Sequence, residues 1–291
     1  MKPGKVPFRW ATALLGAAFA MVAVFGLFSA GFSAIAAAQT TNASKGKVET
    51  YNLLVFSNPV TGMEDEYNKW YSQLHQKDVV SVPGFVTAQR FVISDIQLRD
   101  SKSLPKYLVM YKIVTDDLPS VYAEVNRRLQ TGVTVMSPSF DKTTSVGFTY
   151  RAIRPMIYHQ SDSDGVPKDD SQVYYQLVFS DPTEGQEDKY NSWYDQQHEP
   201  DVVSAPGFVE AQRFVLSDTQ LSRTEALAKY FVMYKIVSDH VAARFADFKR
   251  LAPTMPMSPA MGKSYGYTYK ALEPMIAGDQ VRAERAKKPA S

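Results

Sequence analysis

The residues Tyr190-Asn191-Ser192-Trp193-Tyr194-Asp195-Gln196-Gln197-His198-Glu199-Pro200-Asp201, followed by Pro206-Gly207-Phe208, have a near copy earlier in the chain. Tyr67-Asn68-Lys69-Trp70-Tyr71-Ser72-Gln73-Leu74-His75-Gln76-Lys77-Asp78, followed by Pro83-Gly84-Phe85, lies 123 residues upstream. Around these strings, residues 51–116 align without a gap on 174–239, so Gln89-Arg90-Phe91 meets Gln212-Arg213-Phe214. The match resumes where Gly147–Tyr150 meets Gly266–Tyr269 and Pro155–Ile157 meets Pro274–Ile276. A unit of roughly a hundred residues is too long for a solenoid repeat and fits one small domain. The chain thus divides into repeats 50–158 and 172–277, with 39–49 a flexible lead-in and 159–171 a polar linker. Residues 278–291, rich in Ala, Lys and Arg, read as a solvated tail, with a frayed helix as the alternative.

Inside the first repeat, Tyr51–Ser57 is a short apolar strand ended by Asn58-Pro59 and Gly62. Tyr67, Trp70, Tyr71 and Leu74 then fall at i, i+3, i+4 and i+7, which predicts a helix over 64–77. Strands are expected at 85–94, 107–114 and 144–153, with a second helix at 118–129. The second repeat gives the same order at 174–180, 187–198, 208–217, 230–237, 241–251 and 264–271. The order βαββαβ, twice over, is the split-βαβ or ferredoxin-like motif, whose helices cover one face of an antiparallel sheet. Strand 85–94 carries apolar groups on both faces, Phe85 and Phe91 alternating with Val86, Ala88 and Val92. An uncovered face of that kind needs a partner. The expected class is therefore α+β, with the two repeats packed sheet to sheet as an intramolecular dimeric α/β barrel.

Composition narrows the function. The 291 residues are 45% apolar and carry a formal charge of +2, three of whose cations (Lys2, Lys5, Arg9) sit at the amino terminus. The near-neutral body gives no case for nucleic acid. The charged start precedes an uncharged apolar run, Trp10–Ala38, ending in Ala36-Ala37-Ala38. Residues 1–38 thus read as a signal peptide cleaved after Ala38, or as an uncleaved membrane anchor. Either way the repeats are expected in the periplasm or outside the cell. A membrane contact is expected only if that segment is retained, and a further homo-oligomer is left open. There is no cysteine, which excludes thiolate metal sites and cysteine nucleophiles. The sequence shows no metal-binding His or carboxylate spacing, phosphate loop or serine elbow, and no cofactor is implied.

The helix ending in Trp-Tyr-x-x-x-His, then Pro200-Asp201 and Pro206-Gly207-Phe208, resembles the dimeric α/β-barrel superfamily, closest to its EthD-like branch. The resemblance covers nearly all of both repeats. It implies a pocket for a small hydrophobic or aromatic carbonyl compound, and chemistry of the cofactor-independent cyclase, isomerase, lyase or oxygenase kind. Two other readings stay open: a binding protein without catalysis, and a haem protein, since chlorite dismutase-like folds are similar tandem arrangements. His159, in the linker, and His240 lie outside the duplicated positions, and the haem reading singles out His240.

His198 and His75 are the candidate acid/base groups, because a neutral imidazole can accept and return a proton near neutral pH. The alternative is a histidine that closes a helix carboxyl terminus. Asp78 and Asp201, three residues on, are placed to orient the rings. Tyr194 and Tyr71 could donate to a substrate oxygen. Arg213 and Arg90, mid-strand, need a partner or an aqueous cavity, and could clamp an enolate or carboxylate. Trp193 and Trp70 are read as core or as substrate contacts. Pro200 predicts a helix that stops sharply after His198, whereas Lys77 puts a cation beside His75.

Overall fold

The structure is a computed structural model that describes residues 46–99, 104–159, 172–222 and 225–287. The expected signal segment 1–38, most of the linker and residues 288–291 lie outside the described residues. The first half runs β1 (Glu49–Ser57), α1 (Glu64–Trp70), a π turn (Tyr71–His75), α2 (Gln76–Val80), β2 (Phe85–Ile93), β3 (Tyr107–Thr115), α3 (Leu118–Gln130) and β4 (Val146–Ala152). After the short β5 (Ile157–Tyr158) come β6 (Val173–Pro182), α4 (Glu187–Trp193), a second π turn (Tyr194–His198) and α5 (Glu199–Val203). Then follow β7 (Phe208–Leu216), β8 (Tyr230–Val237), α6 (Val241–Leu251) and β9 (Met261–Ala271). The short β10 (Ile276–Ala277) leads into α7 (Gly278–Lys287).

All strand pairings are antiparallel, in a ten-stranded sheet with few helices. Within each half the order is 2-3-1-4: β2-β3-β1-β4 and β7-β8-β6-β9. The halves are joined twice, by β4 on β7 (Tyr150↔Leu216) and by β9 on β2 (Phe91↔Ala271). The eight long strands therefore close into a ring, and closure removes the exposed sheet edges.

Closure decides where the core sits. Phe56, Phe91, Phe148 and Tyr150 from the first half meet Phe179, Phe214, Phe231 and Tyr269 from the second, all buried. Phe179 stacks on Phe231 at 5.0 Å between centroids, and Phe56 reaches Phe179 at 6.4 Å. Each such ring takes about 150–250 Å² out of water, worth several kcal/mol at about 25 cal/mol/Å². The ring interior is thus a packed core shared by both halves. Two further cores lie between the sheet and the helices, one per half, around Tyr67 and Tyr111 and around Tyr190 and Tyr234.

Three local features depart from the sequence reading. A bulge between Phe85 and Thr87 shifts the phase of β2, so Phe85, Ala88 and Arg90 share the helix-facing side while Phe91 faces the interior. The helix also does not stop after His198: α5 continues to Val203 with Pro200 in its first turn. In the π turn, the N–H of Glu199 bonds to the carbonyl of Tyr194, five residues back. That widened turn accommodates the missing proline N–H and the ring's clash with the preceding turn. Gln76 bonds to Tyr71 in the same way, so the turn forms without proline. Third, much of the expected solvated tail is the helix α7. Val281 is buried in the first-half core, Arg282 Nη1 donates to the carbonyls of Val80 and Phe85 at 3.2 and 3.1 Å, and Arg285 pairs with Asp78.

Candidate functional site

Each π turn folds an aromatic–histidine cluster. The extra residue in the turn keeps Tyr71 and His75, and likewise Tyr194 and His198, on the inner side of the rod. The His75 ring stacks on Trp70 at 4.5 Å and meets Tyr71 edge-on at 5.0 Å; His198 does the same with Trp193 at 4.4 Å and Tyr194 at 5.0 Å. The indole N–H groups are taken, Trp70 by the Val135 carbonyl at 3.0 Å and Trp193 by the Pro256 carbonyl at 2.9 Å. Nδ1 of each histidine is buried with no hydrogen-bond partner. Burial pushes both imidazoles down to about 4, so both are neutral at pH 7.

The two rings differ in electrostatic surroundings. Burial alone lowers His75, and Lys77 is exposed without contributing; at His198, Arg99 and Arg213 add to the effect of burial. The expected cation beside His75 is therefore found beside His198 instead. Neither aspartate orients a ring: Asp78 is held by Arg285, and Nδ1 of His198 is unpartnered three residues before Asp201.

His198 lines a cavity of about 100 Å³ between the sheet and the helices of the second half. Val178, Phe208, Phe248 and Met255 make it apolar, while Gln176, Tyr234 and Arg99 are its other polar walls. Gln176 Nε2 and the Tyr234 hydroxyl are buried and unpartnered. Arg99 belongs to the opposite half. It arrives because Gln97, at the base of the β2–β3 loop, copies a strand pairing across the seam. Its Nε2 donates to the Thr268 carbonyl at 2.9 Å and its Oε1 accepts from the Thr268 N–H at 2.8 Å. Gln220 makes the reciprocal pair with Thr149 at 2.8 Å in both directions, and Leu221 packs on the first-half core. Each half thus receives a loop from the other.

Arg90 and Arg213 are almost wholly buried, and both point back at their own first helix. Arg90 Nη2 donates to Asn68 Oδ1 at 2.8 Å and Nη1 to Ser72, with the guanidinium 4.9 Å from the Tyr71 ring. Arg213 repeats this with Asn191 Oδ1 at 2.8 Å and the Tyr194 ring at 4.5 Å, but its Nη1 pairs with Asp195. Their terminal nitrogens are thus occupied in tying helix to strand. Tyr71 and Tyr194 are buried, and the Tyr194 hydroxyl has no partner. His240, the histidine of the haem reading, is exposed at the start of α6. Among the described residues, no group of three or more His, Cys, Asp or Glu side chains is placed to hold a metal.

Glu199 is the residue that motif reading passed over. Its side chain is 0% exposed, and neither carboxylate oxygen is hydrogen-bonded, although Arg154 Nη1 lies 3.4 Å away. Burial outweighs the pull of Arg154 and Arg213 and pushes the carboxyl up to about 7. Comparing the repeats position by position exposes it. The second half carries Asp195 and Glu199 where the first has Ser72 and Gln76, and Arg154 of the first half, whose counterpart is Glu273, reaches both of those carboxylates. The charged set of the second half was thus visible as substitutions between copies.

No family model matches the chain, and no curated protein matches it. Solved structures give matches at low identity. An anthrone oxidase-like protein is 12% identical with a TM-score of 0.47, over 79% of this chain and 93% of its own. A putative monooxygenase from Fusobacterium nucleatum subsp. nucleatum is 8% identical, TM-score 0.47, over 78% and 93%. Chlorite dismutase from Candidatus Nitrospira defluvii, in complex with imidazole, is 9% identical, TM-score 0.46, over 83% and 97%. The chain is similar to these, and its functional reading rests on the site itself.

Proposed function

We propose that this chain is a duplicated dimeric α/β-barrel protein of the EthD-like branch, exported from the cytoplasm. In this reading the second half works as a cofactor-independent acid/base enzyme on a small aromatic carbonyl compound. The observation that carries it is the cavity against His198: apolar walls, a neutral imidazole, and unpartnered polar groups on Gln176 and Tyr234. Pockets that bind small molecules combine an apolar lining with a few convergent polar groups. The volume suits a single ring rather than a polycyclic substrate.

The chemistry assigned is proton transfer next to a carbonyl. His198 accepts a proton from the carbon acid, and the C–H electron pair moves into the enolate. Return of that proton to another carbon completes an isomerisation in which no electrons are gained or lost. An imidazole at about 4 is a weak base at pH 7, which favours the second reading, a binding protein without turnover. Acetophenone in heavy water separates the two. Deuterium entering the methyl group, detected by NMR and lost in His198→Ala but not in His75→Ala, supports the enzyme. Saturable binding without exchange supports the binding protein, and neither binding nor exchange overturns both. Export is tested separately by mass spectrometry of periplasmic protein, where the mature chain should begin at Gln39.

A further inference from the structure

We infer that the second-half cavity is an anion site, which selects ligands carrying a carboxylate or enolate oxygen through Arg99 and Gln176. The inference rests on the proposed small-molecule cavity and adds the charge of what enters it.

Four positions carry the argument. Gln176 and Arg99 line the cavity, and the counterparts that meet over the first half are its own Leu53 and Ser222 from the second half. Both pairs gather over a glycine. A Cβ on Gly266 would stand 2.8 Å from Gln176 Nε2 and 3.3 Å from Arg99 Cδ; one on Gly147 would stand 3.7 Å from Ser222 Oγ and 3.9 Å from Leu53 Cδ1. The scaffold is therefore the same, and the second half replaces an apolar group and a hydroxyl with an amide and a guanidinium. Gln176 is 2% exposed, its Oε1 accepts from Thr268 Oγ1 at 2.6 Å, and its Nε2 is left as a buried donor with nothing to donate to. Leaving such a donor empty costs about 1–3 kcal/mol, which a ligand acceptor recovers. Arg99 supplies the charge. One Nη1 contact runs to Ser264 Oγ at 2.9 Å, and among the described residues it pairs with no carboxylate. The Gln97 clamp places this cation over the opposite half. Arg99 is itself exposed and stands at the rim of the cavity, over the bare glycine.

The donors therefore converge on one side, and apolar walls on the other accept a ring. A planar ligand with one anionic oxygen group satisfies both, and a carboxylate or an enolate presents the same charge to Arg99. The anion also places a negative charge beside His198, offsetting Arg99 and Arg213, and so favours a proton on that ring.

The test compares benzoate with benzamide, which has nearly the same shape without the charge, by isothermal titration of the full chain. Benzoate is expected to bind about tenfold more tightly. Arg99→Gln should remove that preference while leaving benzamide affinity within about twofold. Gly266→Ala should weaken both ligands, and Ser222→Ala, whose side chain reaches over the first half instead, neither. Equal affinity for the two ligands in the natural protein overturns the anion site but keeps the cavity. Binding of neither removes the cavity reading and this inference with it. A preference for benzoate that survives Arg99→Gln assigns the charge recognition elsewhere and overturns the role of Arg99.

Discussion

Glu199 occupies on the second rod the place that Gln76 occupies on the first: both are buried, and neither has a side-chain hydrogen-bond partner. The two residues differ by one ionisable proton. In an interior position this difference sets a pH dependence on folding.

Raising the Glu199 carboxyl from 4.5 to about 7 means that the native chain holds a proton there that the unfolded chain releases. Between those values the native state binds more protons, so stability falls as pH rises. The stabilisation is complete below 4.5 and gone above about 7, a span of roughly 3 kcal/mol at 1.4 kcal/mol per unit. Glu199→Gln should flatten that slope and be the more stable protein at pH 8. Urea unfolding at pH 5 and pH 8 checks it, and a slope unchanged by the substitution refutes it.

The histidines slope the other way. Each is lowered from 6.5 to about 4, so the unfolded state takes up protons first and stability falls as pH drops through that window. Arg99→Gln removes one cation facing His198 and none facing His75. NMR titration should find the His198 value raised and the His75 value unmoved. An equal response of both rings would remove Arg99 from the site.

Arg213 is 1% exposed and relies on Asp195, whereas Arg90 manages with Ser72. Asp195→Ala should therefore cost about 1–3 kcal/mol, and Asp195→Ser less, because a hydroxyl restores the first-half arrangement. Chemical denaturation of the two variants ranks them. Equal costs would show that the hydroxyl does not substitute for the carboxylate.

Gly84 and Gly207 both need a left-handed backbone, with φ of +96° and +83°. A Cβ on Gly84 would lie 2.7 Å from Val121 Cγ2, a branched and buried side chain; on Gly207 it would meet Arg244 Cδ at 2.6 Å, on a side chain that can swing away. Alanine should cost about 1–2 kcal/mol at Gly207 and about 2–4 kcal/mol at Gly84. Calorimetry should rank the melting temperatures in that order.

The duplicated strings and the βαββαβ order were legible in the sequence, because they depend on local periodicity and on comparing two copies; the stacking of Trp193 on His198 was not. The strand bulge, the π turns and the docked helix α7 were not, since each is stabilised by contacts from distant segments that no window of neighbours contains. Periodicity placed His75 and His198 at matched positions, but only closure of the ring determined that Arg99 crosses to His198 and Ser222 to the first half. Charge at a site is the sum over everything within a few ångströms, and here that sum crosses the seam between halves. The sequence alone could establish which residues are duplicated; the tertiary structure alone brought the unduplicated Arg99 and Gln176 around one histidine, because the strands and loop that carry them meet only when the ring closes.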